Sequence, residues 1–205
     1  MIRTRASRLV STISILALAV ALGATVVGCN SSKPPGTTPA PVKAAPTAKA
    51  GLEAATSALS TTAPEAKLLV VQTANSVTPT SPPVWSYLFG SPKDDKTYMV
   101  YIKGGKLAEP PTEYGTAGLK KDEWAVVPNT DAWKIDSDVA YKTAQEASGA
   151  KSEGAYTMGF ITHVPTSDKT STTEAFIWYI SFDQASGAST GTVQVDAKTG
   201  AVVAK

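Results

Sequence analysis

Two tryptophan-containing segments share one pattern of residues, and this internal similarity constrains the fold of the chain more than any other feature. Segments 85–108 and 178–204 each open with a Trp that a Phe follows four positions later. Beyond a loop of different length, a Thr and a Gly recur at equal spacing: Thr97 and Gly105, and Thr192 and Gly200. Spacing that recurs in this way predicts two copies of one supersecondary unit, with Trp85 superposed on Trp178.

Each of the two segments has the residue alternation of a β-hairpin. One face of the first strand carries aromatic or aliphatic side chains in both copies: Trp85, Tyr87 and Phe89, and Trp178, Ile180 and Phe182. The second strand alternates as well, and Gly104-Gly105 or Thr199-Gly200 then supplies a turn. The predicted unit is a half-buried antiparallel hairpin with a short continuation, and both tryptophans should be buried.

A helix is predicted upstream of each hairpin. Thr62 and Glu65 have the spacing of a capping box, which predicts a helix that continues as far as Thr73. The second helix should begin at the Asp-Ser-Asp segment 136–138, because these side chains can accept the free N–H groups of a first helical turn. Its small residues, of which Ala140 is the first, allow close packing on a sheet.

Segment 155–164 is predicted to form a further strand between the second helix and the second hairpin, because it is rich in strand-forming residues and ends before Pro165. The first copy has no clear equivalent of this strand. Helices and antiparallel hairpins in this order predict an α+β domain. Its expected parts are a first, degenerate repeat at 51–108, a connecting loop at 109–130 and a second repeat at 131–205.

The C-terminal part of the chain resembles the PepSY-like superfamily, whose modules close on a strand that reads approximately V-x-V-D-A-x-T-G-x-V after a Trp-containing strand. The matching residues are Trp178, Val193, Val195, Asp196, Ala197, Thr199, Gly200 and Val202, with Ser137 and Ala140 in a helix that follows Trp133. Residues 62–108 resemble the superfamily only weakly. The resemblance implies two PepSY-like repeats, each a helix packed on an antiparallel hairpin or sheet.

Members of this superfamily are mostly secreted or membrane-anchored domains without enzymatic activity, and some are proposed to inhibit peptidases. A tandem arrangement of such units is similar to the proteinaceous β-lactamase inhibitors. The resemblance therefore implies a binding protein with a protein partner such as a peptidase. It implies no catalytic residue and no cofactor.

The first 28 residues have the layout of a bacterial export signal. Arginines at positions 3, 5 and 8 precede an apolar run over residues 10–27, and Gly28-Cys29 follows this run. The sequence Val-Val-Gly-Cys at its end resembles the lipobox, in which the cysteine becomes a lipid-bearing N-terminus. Residues 1–28 are therefore predicted to be a signal peptide and Cys29 the lipidation site. The alternative is an uncleaved anchor helix, because a run of this length approaches what spans a bilayer.

Residues 29–50 are rich in Ser, Thr, Ala, Lys and Pro, a composition that is too polar to bury a core. They are predicted to form a disordered tether. The protein should therefore be extracytoplasmic and lipid-anchored to a bacterial membrane. Asn30 follows the cysteine in place of the Asp that retains some Gram-negative lipoproteins at the inner membrane, so the sequence leaves open which membrane carries the anchor.

Charge and residue types argue against several classes of function. All arginines lie in the leader, and the remaining chain carries 16 Lys against 17 acidic residues. Because arginine is the usual residue for bidentate phosphate and guanine contacts, nucleic-acid binding is not expected. The single histidine, His163, has no second His and no nearby thiol in the sequence with which to build a metal site or a catalytic triad. We therefore expect no metal, no cofactor and no enzymatic activity.

Period-two alternation sends a second set of apolar residues to the face opposite the tryptophans. The set is Leu88, Met99, Tyr101, Ile177 and Tyr179. Tyrosine and methionine are enriched in binding surfaces, so these residues are predicted to form part of a protein-recognition face. The alternative is a second core layer, formed if the repeats pack face to face or if segment 51–60 covers this side. A sensor of a small molecule or envelope component, and a structural envelope spacer, stay open as other functions.

Metabolic labelling with a fatty-acid probe tests the lipidation of Cys29. The wild-type chain should incorporate the probe, because Cys29 carries the only thiol in the sequence. The Cys29→Ser variant, which keeps the shape of the side chain and lacks the sulfur, should stay unlabelled. Equal labelling of the two proteins would contradict the prediction.

Overall fold

The structure is a computed structural model that describes residues 47–151, 154–162, 176–183 and 191–204. This part of the chain has an α+β fold, in which helices pack against a nine-stranded sheet. The paired strands of this sheet are antiparallel. The predicted fold class is confirmed at this level.

Three α-helices, a short 3₁₀ helix and nine strands make up the described fold. The helices are α1 (Ala48–Ala58), α2 (Lys121–Val126) and α3 (Ser137–Ser148), and the 3₁₀ helix is Thr130–Ala132. The strands are β1 (Lys67–Thr73), β2 (Val84–Gly90), β3 (Lys96–Lys103), β4 (Lys106–Leu107), β5 (Thr112–Thr116), β6 (Tyr156–Ile161), β7 (Ile177–Phe182), β8 (Thr192–Asp196) and β9 (Val202–Ala204). Segment 109–130, expected as a connecting loop, contains β5 and α2.

The strands follow one another across the sheet in the order β4-β3-β2-β1-β6-β7-β8-β9. Strand β5 pairs with the beginning of β3, whereas β4 pairs with its end. The hairpins β2-β3 and β7-β8 therefore lie on either side of a central β1-β6 pair. Helices α1 and α3 pack on the side of the sheet that carries the hairpin tryptophans, which we call the helix face. The opposite side is called the outer face.

The tryptophans of both hairpins are buried on the helix face, as predicted: Trp85 is 3% exposed and Trp178 is 0% exposed. Their ring centroids lie 6.4 Å apart in an edge-to-face contact. Trp133 stacks on Phe160 and meets Trp178 edge-on. The indole N–H groups of Trp133 and Trp178 both donate to the carbonyl oxygen of Ile135, at 2.7 and 2.9 Å. These contacts join the two hairpins in a single core.

The strand register corrects one predicted equivalence between the hairpins. The predicted alignment equates Val100 with Val195, which stand five residues before Gly105 and Gly200. Val100 pairs with Tyr87, whereas Val195 pairs with Trp178. Trp178 therefore corresponds to Tyr87, and the expected superposition on Trp85 is wrong by two residues. A shift of two residues keeps every side chain on its own face, so alternation in the sequence does not detect it.

The turns that follow the hairpins correspond as expected. Gly105 and Gly200 both have a φ of 79°, in the left-handed region that favours glycine. Each turn leads into a short strand, β4 or β9, that pairs back onto its hairpin. The short continuation predicted for each hairpin is therefore confirmed.

The first helix lies upstream of its predicted position. Helix α1 spans Ala48–Ala58 and thus begins within the segment expected as a tether. The helix predicted from Thr62 to Thr73 is wrong, because residues 67–73 form β1. The aliphatic residues of β1 are buried on both faces of the sheet, Leu68 and Val71 in the main core and Leu69 beside Trp124 of α2. A short continuous apolar run of this kind is consistent with a strand that is covered on both faces. Strand β1 pairs with β6, which lies within the strand predicted at 155–164.

The second helix is confirmed, and its N-cap residue also holds the first helix. The carboxylate of Asp136 accepts a hydrogen bond from the Ser137 N–H at 2.6 Å. It also accepts from Thr47 Oγ1 at 2.6 Å and from the Lys49 N–H at 3.0 Å. Ser137 Oγ in turn accepts from the Ala48 N–H at 3.0 Å. One acidic side chain therefore caps two helices whose N-termini meet.

Two threonine side chains reinforce the central pair of strands. Thr162 Oγ1 donates to the carbonyl oxygens of Leu68 and Leu69 on β1, at 2.6 and 3.0 Å. Thr73 Oγ1 donates to the Met158 carbonyl oxygen on β6 at 3.4 Å and accepts from the Met158 N–H at 3.2 Å. Each strand of the pair is therefore bound at its end by a hydroxyl group from the other half of the sheet.

Several of the predictions made above concern residues that the structure leaves undescribed. They are the signal peptide 1–28, the lipidation site Cys29, most of the tether 29–50 and the histidine His163. Within the described ranges, no helix is long and apolar enough to cross a membrane.

Replacement of Asp136 tests the shared helix cap. Asp136→Ala removes the acceptor of three hydrogen bonds and should lower the free energy of unfolding by about 2–3 kcal/mol. The matched control is Asp138→Ala in the exposed first turn of α3, which should cost less than about 1 kcal/mol. Denaturant unfolding followed by tryptophan fluorescence measures both variants. Equal losses would contradict the shared cap.

Candidate functional site

The outer face presents two rows of residues that run across the strands. Residues paired directly across neighbouring strands share a face, and successive rows on one face are two residues apart along each strand. The first row is Met99, Leu88, Val70, Ile161, Ile177 and Asp196. The second row is Tyr101, Ser86, Gln72, Gly159, Tyr179 and Gln194. Both rows cross continuously from β3 to β8.

The five residues predicted for partner binding all belong to these two rows. The side chains of four of them are partly exposed: Leu88, Tyr101, Ile177 and Tyr179. Met99 is only 8% exposed and offers little accessible area. Strand pairing thus brings residues from both hairpins onto one surface, although the hairpins are distant in the sequence.

Helix α2 covers one end of the outer face. Trp124 of α2 is 6% exposed and belongs to a small apolar cluster with Leu69, Leu119 and Val127. Its ring lies over Gly90, where an added Cβ atom would stand 2.5 Å from the ring. Val70 of the first row packs against the same cluster. At this end the outer face is therefore a second core layer, but its cover is α2 and not a second repeat or the segment 51–60 that the alternative interpretation named.

Helix α2 is not evident from the sequence, because it starts without a usual cap. Its N-cap residue is Lys120, which is not among the residue types that favour this position. The one available signal was Glu123, whose carboxylate accepts from the Lys120 N–H at 2.8 Å. Trp124 and Val127, three residues apart, form the apolar side of this short helix.

Asp95 positions the segment that leads into α2. Its φ of 58° lies in the left-handed region, which is uncommon for a residue other than glycine. Its carboxylate accepts from the N–H groups of Gly118 and Leu119, at 3.0 and 3.3 Å. Its carbonyl oxygen accepts from the Ala117 N–H at 2.9 Å. These hydrogen bonds fix the approach of α2 to the outer face.

The two rows carry very little charge. Asp196 is the one residue in them with a carboxylate or an ammonium group, and it lies at the end of the first row. Its carboxylate already accepts from the N–H groups of Lys198 and Thr199, at 2.7 and 2.9 Å. The exposed ion pair between Lys96 and Glu113, at 2.8 Å, belongs to the β3-β5 edge outside the rows. The middle of the outer face is therefore neutral.

The most strongly shifted pKa values belong to tyrosines that serve the core. Burial raises the pKa of Tyr87, and the nearby carboxylate of Asp136 adds to the rise. The Tyr87 hydroxyl donates to the Ala48 carbonyl oxygen of α1. Burial, with a smaller effect of Tyr141, raises the pKa of Tyr156 to about 12. In the part of the chain that the structure describes, no group of three or more His, Cys, Asp and Glu residues could hold a metal ion.

An open cleft of about 640 Å³ lies beside the rows, between α2 and the β2-β3 turn. Its lining includes Lys67, Lys93, Lys121 and Trp124. Lys67 Nζ donates to the Trp124 carbonyl oxygen at 2.9 Å, so one of these cations is already engaged. The cleft is a separate concavity, and none of the five predicted residues lines it.

Comparison with known proteins adds no relative. No protein-family model matches the chain, and neither a curated protein nor a solved structure shows significant similarity to it. The resemblance to the PepSY-like superfamily therefore stays a prediction, and the geometry of the outer face carries the functional conclusion.

Proposed function

We propose that this chain is a non-catalytic lipoprotein of the bacterial envelope that binds a protein partner, such as a peptidase, through the outer face of its sheet. One observation carries the proposal: partly exposed aromatic and aliphatic residues from two distant hairpins lie in two rows whose middle part is neutral. In this proposal, Cys29 bears the lipid anchor and the segment before Thr47 is the tether.

The residue types of the rows suit recognition of a protein. Tyrosine supplies a large, rigid contact area at a low cost in conformational entropy, while serine and glycine supply adaptable contacts. The second row combines Tyr101 and Tyr179 with the amide groups of Gln72 and Gln194 and with Gly159. Ser86 of this row is only 2% exposed, and its hydroxyl donates to the Gln72 carbonyl oxygen at 3.3 Å. The first row adds the aliphatic side chains of Leu88 and Ile177. A surface of this composition binds a partner by shape and apolar contact.

The first described residue, Thr47, does not cover the outer face. Thr47 caps α1 and bonds to Asp136 at the N-terminus of α3, so it lies with the helices on the opposite side of the sheet.

A second core layer accounts for only part of the outer face. The covered part is the end beneath α2, together with Met99. Segment 51–60, expected as a possible cover, belongs to the other side, because Gly51 of α1 lies against Tyr87 and Ile102 on the helix face. The tyrosines of the second row keep part of their surface accessible.

The order of elements supports two PepSY-like repeats. Each half contains, in chain order, a helix, three strands of the sheet and a short edge strand. Thr47 and Asp136, the two N-cap residues, are 89 residues apart, and the same interval separates Val71 from Phe160. Buried helix positions recur at this interval: Ala48, Gly51 and Ala55, and Ser137, Ala140 and Ala144.

Site-specific photocrosslinking in the native host tests the binding face. A benzophenone amino acid in place of Tyr101 or Tyr179 should form a covalent adduct with one and the same envelope protein. Val139 of α3, which is 48% exposed on the helix side, is the control position and should not form this adduct. An excess of the wild-type domain, which lacks the benzophenone group, should suppress the adduct, because it competes for the partner.

Two outcomes would contradict this proposal. One is an adduct of equal yield and identity from all three positions, which would indicate random collision in the envelope. The other is the absence of a protein adduct from both tyrosine positions when the modified chains are folded and correctly localised.

A further inference from the structure

The second row of the outer face has a gap at its centre. Gly159 on β6 is paired with Gln72 on β1 and with Tyr179 on β7, so it lies between them. Neighbouring strands are about 4.8 Å apart, so Gln72 and Tyr179 stand about 9.5 Å from each other. The strand position between them is Gly159, which has no side chain. A space of this width admits one aromatic ring or one branched aliphatic side chain.

The fold does not require glycine at position 159. An added Cβ atom would meet Gln72 Cβ at 3.5 Å and the Val71 carbonyl oxygen at 3.6 Å, which are ordinary van der Waals distances. Gly159 lies within the regular strand β6 and is not among the glycines with positive φ. Glycine inside a strand is less favourable than alanine, because it loses more conformational freedom on folding. With respect to the described residues, the gap is therefore an open notch that the fold itself does not demand.

The notch is lined by neutral groups. Gln72 and Tyr179 stand on its two sides, and Val70 and Ile177 are its diagonal neighbours in the first row. A charged group inserted here would lose its hydration without gaining an opposite charge, which is unfavourable. A large uncharged side chain loses little hydration and gains contact on several sides.

We infer that the notch at Gly159 anchors the protein partner by accepting one large uncharged side chain, such as Leu, Phe, Tyr or Trp, from a neutral part of the partner's surface. This inference rests on the proposed binding function of the outer face and adds the chemistry of the partner. Binding energy in protein interfaces is concentrated in a few anchors that fill pockets near the centre. Gly159 occupies that position in the second row.

Two matched glycine variants of the full chain, probed with a phage-displayed library of random peptides, test the anchor. Gly159→Ala adds one methyl group to the notch, whereas Gly191→Ala adds it where nothing lies within 4 Å. Thermal unfolding should show both variants folded. Peptides that bind the wild type and lose binding to Tyr179→Lys should share one large uncharged residue at a fixed position.

The affinity of these peptides should fall at least about tenfold for Gly159→Ala and change less than about twofold for Gly191→Ala. Their affinity should also change less than about twofold between low and high salt, because no charges are paired. If Gly159→Ala fails to fold, Gln72→Phe takes its place in the test. This substitution lies at the exposed wall of the notch and should cause the same loss of peptide affinity.

The outcomes separate the anchor from the binding function. Peptides that depend on Tyr179 but tolerate Gly159→Ala and Gln72→Phe would overturn the anchor and leave the proposed binding face in place. Peptides with clustered charges and salt-dependent affinity would overturn the neutral chemistry in the same way. A library that yields no peptide sensitive to Tyr179→Lys would overturn both proposals.

Discussion

The antiparallel pairing of β1 with β6 is the contact on which the rest of the structure depends. Each long helix packs mainly on the strands of its own half, so the halves meet through this strand pair, the aromatic core beside it and the cap formed by Asp136. Thr73 and Thr162 add hydroxyl hydrogen bonds across the pair. Because the pairing merges the two halves into one sheet, residues from both hairpins share one outer face.

The two faces of the sheet differ in what their side chains do. Helices α1 and α3 cover the helix face, and its aromatic side chains are buried in the core. Among the described residues, α2 closes the outer face at the end where Asp95 and Trp124 hold it against the sheet, and Met99 and Ser86 are buried as well. The part of the two rows beyond α2 is the surface that we propose for a partner, and Thr47 lies on the opposite side of the sheet.

Much of the fold could be predicted from the sequence wherever the signal was local. Strand alternation gave the two hairpins and their faces, and the polar start of α3 marked its N-cap. The errors arose where contacts between residues far apart in the sequence determine the structure. The capping-box spacing at Thr62 was a misleading local signal, because burial at the centre of the sheet makes the aliphatic run of β1 a strand. The two-residue shift between the hairpins, the notch at Gly159 and the double role of Asp136 all depend on pairing between residues far apart in sequence.

Native-state hydrogen exchange tests most directly the claim that the β1-β6 pairing creates one cooperative sheet and therefore one continuous outer face. The slowest amides of β2-β3 and of β7-β8 should exchange with the same free energy of opening, equal to that of global unfolding. An opening free energy that is lower by more than about 2 kcal/mol in one hairpin would mean that the halves unfold separately. That result would contradict a single surface built from both.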